Sequence, residues 1–233
     1  MERCDEKDDG RGGDDGAVIS GCSASHNLVG LQERLGEEFS WEALAAPGSE
    51  EQESEPLKRP LRLAVAPPMG EWRRGWSQEE REEIRKWGAD LEKAGVVREV
   101  VFIPELLVEH GHEKGLENFM EAARRCEADA VLVTRSASDV DSYLNPLSVA
   151  YLTVVGLWII PGSSCESLTL MEGVLMGTRT RKIHATAMGE GRGSECSAWA
   201  YMESTHARKR SREAALKAFG VEFVKEAGKL SDR

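Results

Sequence analysis

An excess of positive charge is the first thing this chain lacks. It holds 41 acidic against 30 basic residues, a net of −11. Residues 1–60 hold 15 acids and 6 bases, a net of −9, which leaves residues 61–233 near neutral at −2. A near-neutral folded part offers no electrostatic footprint for nucleic acid. Long apolar runs are also missing. No segment reaches the roughly 18–20 residues that span a bilayer, and the longest candidate, residues 149–160, reads as a buried strand instead. Cysteines at metal spacing are missing as well: Cys4, Cys22, Cys126, Cys165 and Cys196 form no CxxC pair and no zinc-finger pattern. Five is odd, so full pairing leaves one over, and a reduced cytosolic protein and a lightly oxidised envelope protein both fit. There is no internal repeat. Gly189-Glu190-Gly191-Arg192-Gly193 is glycine-rich but lacks the Lys-Ser/Thr of a phosphate loop, and it reads as a flexible turn.

What is present predicts one α/β domain with a mixed sheet. Residues 1–60 read as a disordered acidic N-terminal segment and linker, in which residues 28–44 suggest a short amphipathic element. Residues 61–233 read as the domain. Residues 61–66 alternate as a first strand, closed by Pro67, Pro68 and Gly70. Ser77-Gln78-Glu79-Glu80 is a capping box, and the helix behind it turns Ile84, Trp87, Leu91 and Ala94 inward before Gly95 stops it. A strand over 96–103, a helix over 116–126 and a strand over 130–134 complete a βαβαβ start, which implies neighbouring parallel strands. Residues 147–160, 167–176 and 182–188 then predict an antiparallel β-meander. A long C-terminal helix closes the domain, with Gly220 as a candidate kink.

The candidates for chemistry are thin. His110 and His112, flanked by Glu109 and Glu113, carry donors suited to zinc or nickel, although a solvated loop accounts for them as well. Cys165 and His184 would need hydrogen-bond reach and an orienting third group to act as a nucleophile pair. Cys165 and Cys196 each lie in a Gly/Ser-rich turn, so a disulfide and two free thiols stand as equal alternatives. The basic run from His206 to Arg212 reads as a solvated helix face. Asp139, Asp141 and Asn145 lack the glycine and distal glutamate of a calcium loop.

Ile19-Ser20-Gly21-Cys22 matches a lipobox: an aliphatic residue, two small residues and the cysteine that receives lipid. Only Ala17, Val18 and Ile19 precede it as apolar residues, where a secretory signal needs about 7–15, so either the true signal lies upstream of Met1 or in another frame, or the match is chance. Together with Ala128-Asp129-Ala130-Val131-Leu132-Val133-Thr134, residues 151–156 through Ile160-Pro161-Gly162, and residues 178–183 leading to Ala187-Met188-Gly189, this resembles the rhombotail (rhombotarget-type) lipoproteins of Gram-negative bacteria. The resemblance covers about residues 61–195. It lacks the family's C-terminal sorting segment, since residues 220–233 read as ordinary helix. It implies a non-enzymatic outer-membrane lipoprotein facing the periplasm, anchored through Cys22, with no cofactor and an unidentified envelope protein as partner. The alternative is a soluble cytoplasmic α/β enzyme using His110, His112 or Cys165.

Overall fold

In a computed structural model of the chain, the described residues are 26, 28–38, 57–70, 75–108, 115–153, 156–198 and 204–232. Strands β1 (Leu61–Val65), β2 (Met69–Gly70), β3 (Val97–Phe102), β4 (Ala130–Leu144), β5 (Ser163–Gly177) and β6 (Ile183–Ser197) form one mixed sheet in the order β3-β1-β4-β5-β6, with β2 pairing β4. The helices are α1 (Leu28–Glu38), α2 (Gln78–Lys93), α3 (Gly115–Arg125), α4 (Gly156–Ile159) and α5 (Thr205–Gly228). This is the expected α/β class, with the βαβαβ start, the antiparallel meander and the long C-terminal helix. β1 runs parallel to both β3 and β4, and β4-β5-β6 is antiparallel.

Local signals set the first half. Ser77 Oγ accepts from the Glu80 amide while the Glu80 carboxylate accepts from the Ser77 amide, so two orphan donors of α2 are satisfied reciprocally. Gly95 sits at φ +70° just past the helix, where a side chain would be strained.

Two apolar layers sandwich the sheet. On one face α2 and α5 bring Ile84, Trp87, Leu91, Leu216, Phe219 and Phe223 onto Leu61, Leu63, Leu132, Met171 and Leu175. On the other, Phe119, Met120 and Ala123 of α3 cover Val131, Val133, Val174 and Met176. Farther along that second face, Leu31 and Leu35 of α1 are buried against Ala137, Leu168 and Leu170. The amphipathic element expected over 28–44 is therefore a packed helix, and at least residues 28–38 of the stretch read as disordered linker are part of the fold.

The meander differs from expectation in three places. β4 does not stop at Thr134 but continues to Leu144, in unbroken register with β5 from Ala130↔Gly177 to Leu144↔Ser163. Its second half reads as polar loop in the sequence, yet it is strand because its polar side chains find partners across the sheet. Arg135 pairs with Glu172 at 2.7 Å, and the Ser138 and Thr169 hydroxyls lie 2.8 Å apart. The described residues of 147–160 are not a strand. They form a 3₁₀ segment, Pro146–Leu152, and the single turn α4, capping the β4-β5 hairpin. Pro146 and Pro161 cannot donate to a ladder, which helps keep the segment out of the sheet. Gly189, Gly191 and Gly193 are not a turn. They lie within β6, paired to β5 through Met171↔Gly189, Thr169↔Gly191 and Ser167↔Gly193.

Those three glycines explain how α5 docks. They share one face of β6 at two-residue spacing. A Cβ on Gly191 would lie 2.1 Å from the Ala215 N and the Ser211 O, and one on Gly189 would lie 2.4 Å from the Ala215 O. Only bare backbone lets helix and strand approach this closely. α5 runs without a break through Gly220, from Thr205 to Gly228. Gly220 leaves room for Trp87, whose ring carbon would lie 2.5 Å from a Cβ there.

Candidate interaction surfaces

The sequence candidates do not assemble into a catalytic centre. Cys22, His110 and His112 lie outside the described residues, as do Glu109 and Glu113. Cys165 stands opposite Glu195 near one end of β5, whereas His184 lies beside Met176 at the other end. Eleven residues of strand separate the two positions, about 36 Å, so the Cys–His pair is excluded. Cys165 and Cys196 are both free thiols. Ser164, not Cys165, is the register partner of Cys196. Successive strand side chains alternate faces, so the two sulfurs point to opposite sides of the sheet and the disulfide is excluded in this fold. Asp139 and Asp141 belong to β4, not to a loop, and Asn145 uses its side-chain amide to donate to the Pro161 carbonyl at 2.8 Å. Among the described residues, no group of three His, Cys, Asp or Glu is placed to hold a metal ion.

His184 occupies the extra position where β6 bulges against β5, between the pairs Leu175↔Ala185 and Met176↔Ile183. Its Nε2 is buried and has no hydrogen-bond partner among the described residues. Burial, and then the nearby Lys182 charge, push its pKa below the ordinary 6.5. It is a neutral packing histidine.

The basic run on α5 is only partly solvated. Arg208, Lys209 and Arg210 are exposed, but Arg212 is buried and its guanidinium faces the Glu80 carboxylate, with Nη2 donating to Oε2 at 3.1 Å. The Arg212 guanidinium also lies over the Trp76 ring. Desolvation lowers the Arg212 pKa and the Glu80 carboxylate opposes that shift. One carboxylate thus caps α2 and neutralises α5. Farther along the helix, the Ser211 hydroxyl lies 2.9 Å from Ser167 Oγ and 2.7 Å from Thr169 Oγ1, all fully buried. Neither contact is legible in the sequence, because each joins residues more than forty positions apart.

Two surfaces remain that a partner could use. The first is the outer edge of β6. No described strand pairs with it, so 15 residues of extended backbone present an open row of N–H and C=O groups on that side. α5 covers one face, while Thr186, Met188, Glu190, Arg192 and Ser194 are exposed on the other.

The second is the hairpin cap between β4 and β5, described over residues 145–153 and 156–162. Its base is closed by the Asn145 backbone amide donating to the Gly162 carbonyl at 2.9 Å, and Asn145 Oδ1 accepts from the Leu147 amide at 3.0 Å. Tyr151 Oη donates to the Ile160 carbonyl at 3.2 Å. A Cβ on Gly162 would lie 2.7 Å from the Ser148 backbone, so the fit requires glycine. From this pinned frame Leu147, Val149, Leu152, Trp158 and Ile159 stand between 55% and 90% exposed. Exposed apolar side chains grouped on one short segment make it a candidate contact surface.

No family model and no curated protein matches the chain. Among solved structures it is similar to a PelC dodecamer from Paraburkholderia phytofirmans at 14% identity and a TM-score of 0.30, covering 74% of this chain and 88% of that one. It is likewise similar to lipoprotein GNA1162 from Neisseria meningitidis, at 14% identity and a TM-score of 0.30, covering 64% of this chain and 92% of that one. A minor lipoprotein from Acinetobacter baumannii aligns at 6% identity and a TM-score of 0.33, covering 72% and 91%. Likenesses at these values carry no inference about what this chain binds or does. No described helix is long and apolar enough to cross a membrane.

Proposed function

We propose that this chain is a non-enzymatic cell-envelope lipoprotein of rhombotail type. In this reading it is anchored in the outer membrane through Cys22 and faces the periplasm, and it holds an envelope protein along the outer edge of β6. The open 15-residue edge is the observation that carries the contact role. A long edge adds a partner strand through backbone hydrogen bonds alone and needs no specialised side chains. The α5–glycine interface backs this edge with helix, so a pairing strand meets a preformed template. Glu190 and Arg192, paired at 3.2 Å, guard the edge against indiscriminate pairing, as charged edge residues do. The anchor rests on the lipobox residues Ile19 to Cys22. Since α1 packs on the sheet, the leash between Cys22 and the folded part is a few residues, far shorter than a linker running to residue 60.

The test has two parts. Mass spectrometry of the native protein is expected to find an acylated cysteine at position 22 as the N-terminus, and an unmodified Cys22 with residues 1–21 attached refutes the anchor. A photo-crosslinking residue at Met188 is expected to trap a partner in the envelope fraction, whereas one at exposed Val221 on the outer side of α5 is not. Equal trapping at both positions refutes the edge.

A further inference from the structure

We infer that the described part of the hairpin cap, residues 145–153 and 156–162, inserts into the interface of an electrically neutral lipid bilayer and acts as a second membrane contact beside the acyl anchor. The orientation of this contact rests on the lipoprotein reading, but the contact itself does not. Three observations point to lipid and not to protein. Across all 18 residues of the cap there is no Asp, Glu, Lys, Arg or His. Protein interfaces of this size are ringed by polar and charged side chains and are enriched in arginine, whereas a bilayer interface takes uncharged apolar groups flanked by Trp and Tyr. The cap supplies both aromatics, Trp158 exposed and Tyr151 with its hydroxyl turned back onto the frame.

The second observation is position. His26 Nδ1 lies 3.6 Å from Asp139 Oδ2, in the half of β4 that leads to the cap. Cys22 stands four residues before His26, and four residues reach at most about 14 Å. From Asp139 to the end of β4 at Leu144 the strand rises about 17 Å. An acyl chain on Cys22 therefore starts within about 40 Å of the end of β4, which lets the anchor and the cap reach one bilayer surface. A lipidated protein with one further contact gains the stable attachment that one weak signal does not give.

The third is the charge behind the cap. Asp139, Asp141 and Glu166 share one face of β4 and β5 within about 17 Å of the cap's base, with the Tyr143 hydroxyl donating to Glu166. This acidic collar opposes approach to an anionic headgroup layer, so the preference is for zwitterionic lipid.

The experiment uses the full chain with Cys22→Ala, which removes the anchor and leaves the cap. The purified protein is mixed with phosphatidylcholine vesicles and floated on a gradient. It is expected to float, with tryptophan fluorescence quenched by brominated phosphatidylcholine. The Trp158→Phe variant keeps the apolar surface and is expected to float while losing that quenching. The double variant Leu152→Asp, Trp158→Asp is expected to lose about tenfold or more in partition, with an unchanged unfolding midpoint. Added phosphatidylglycerol is expected to weaken binding, and salt to leave it nearly unaltered. A parent protein that stays at the bottom overturns the inference, as a cap made to seat a protein would. So does a double variant that floats equally, quenching retained in Trp158→Phe, or binding that requires anionic lipid and falls with salt. An unmodified Cys22 in the native protein would remove the anchor reading without touching the flotation result.

Discussion

Replacing Gly191 with alanine adds one methyl group and tests whether the α5–β6 interface is held by backbone contact. The new Cβ would lie 2.1 Å from Ala215 N and from Ser211 O. Ordinary van der Waals contact begins near 3.4 Å, so helix or strand must retreat by more than 1 Å. Both obstacles are main-chain atoms within secondary structure, and no flexible side-chain end can give way. Retreat would also loosen Phe219 and Ala215, both fully buried against the sheet, and stretch the 2.7 Å Thr169–Ser211 contact. Overpacking of a close-packed core costs about 1–3 kcal/mol, and this site belongs near the top of that range. For a domain of this size that is a fall in Tm on the order of 10 °C. Gly228→Ala is the control. Nothing lies within 4 Å of its Cβ position and it ends α5, so the better helix propensity of alanine is expected to leave stability unchanged or raised by up to about 1 kcal/mol. Urea unfolding followed by circular dichroism measures both. A Gly191→Ala midpoint equal to that of Gly228→Ala would refute backbone docking.

The same packing sets the outcome of other substitutions. Glu80→Ala removes the countercharge of buried Arg212 and the α2 capping box together, and is expected to cost about 3–5 kcal/mol in urea unfolding, whereas the double variant Glu80→Gln, Arg212→Met is expected to cost clearly less, because it keeps the capping acceptor and leaves no buried charge unpaired. Ser211→Ala strands the Ser167 hydroxyl in the core and leaves Thr169 bonded to Ser138, and is expected to cost about 1–3 kcal/mol by the same measurement. His184 gives a pH signature. Its pKa is lowered in the folded protein, so between that value and the ordinary 6.5 the unfolded chain binds more protons. Stability is therefore full above pH 6.5 and falls as pH drops through this window, and His184→Ala is expected to flatten that slope in midpoints measured across pH 5 to 8.

Local chemistry in the sequence determined the alternating first half of this domain. Ser77 and Glu80 announce a helix start, Gly95 a helix stop, and the apolar spacing of Ile84, Trp87 and Leu91 a buried face, because each signal acts within a turn or two of chain. The short string from Ala130 to Thr134 reads as strand for the same reason. Beyond Thr134 the tertiary structure decided. The polar half of β4 is strand because Glu172 and Thr169, over thirty residues away, neutralise Arg135 and bind Ser138. Gly189, Gly191 and Gly193 suggest a turn until a helix is laid across them. The most apolar stretch of the chain stands outside the core, because β4 and β5 close their ladder at Leu144↔Ser163 and leave it as a cap. Hydrophobicity tells how strongly a segment avoids water. Which surface relieves that avoidance, the protein's own interior or something beyond it, depends on where the ladder ends.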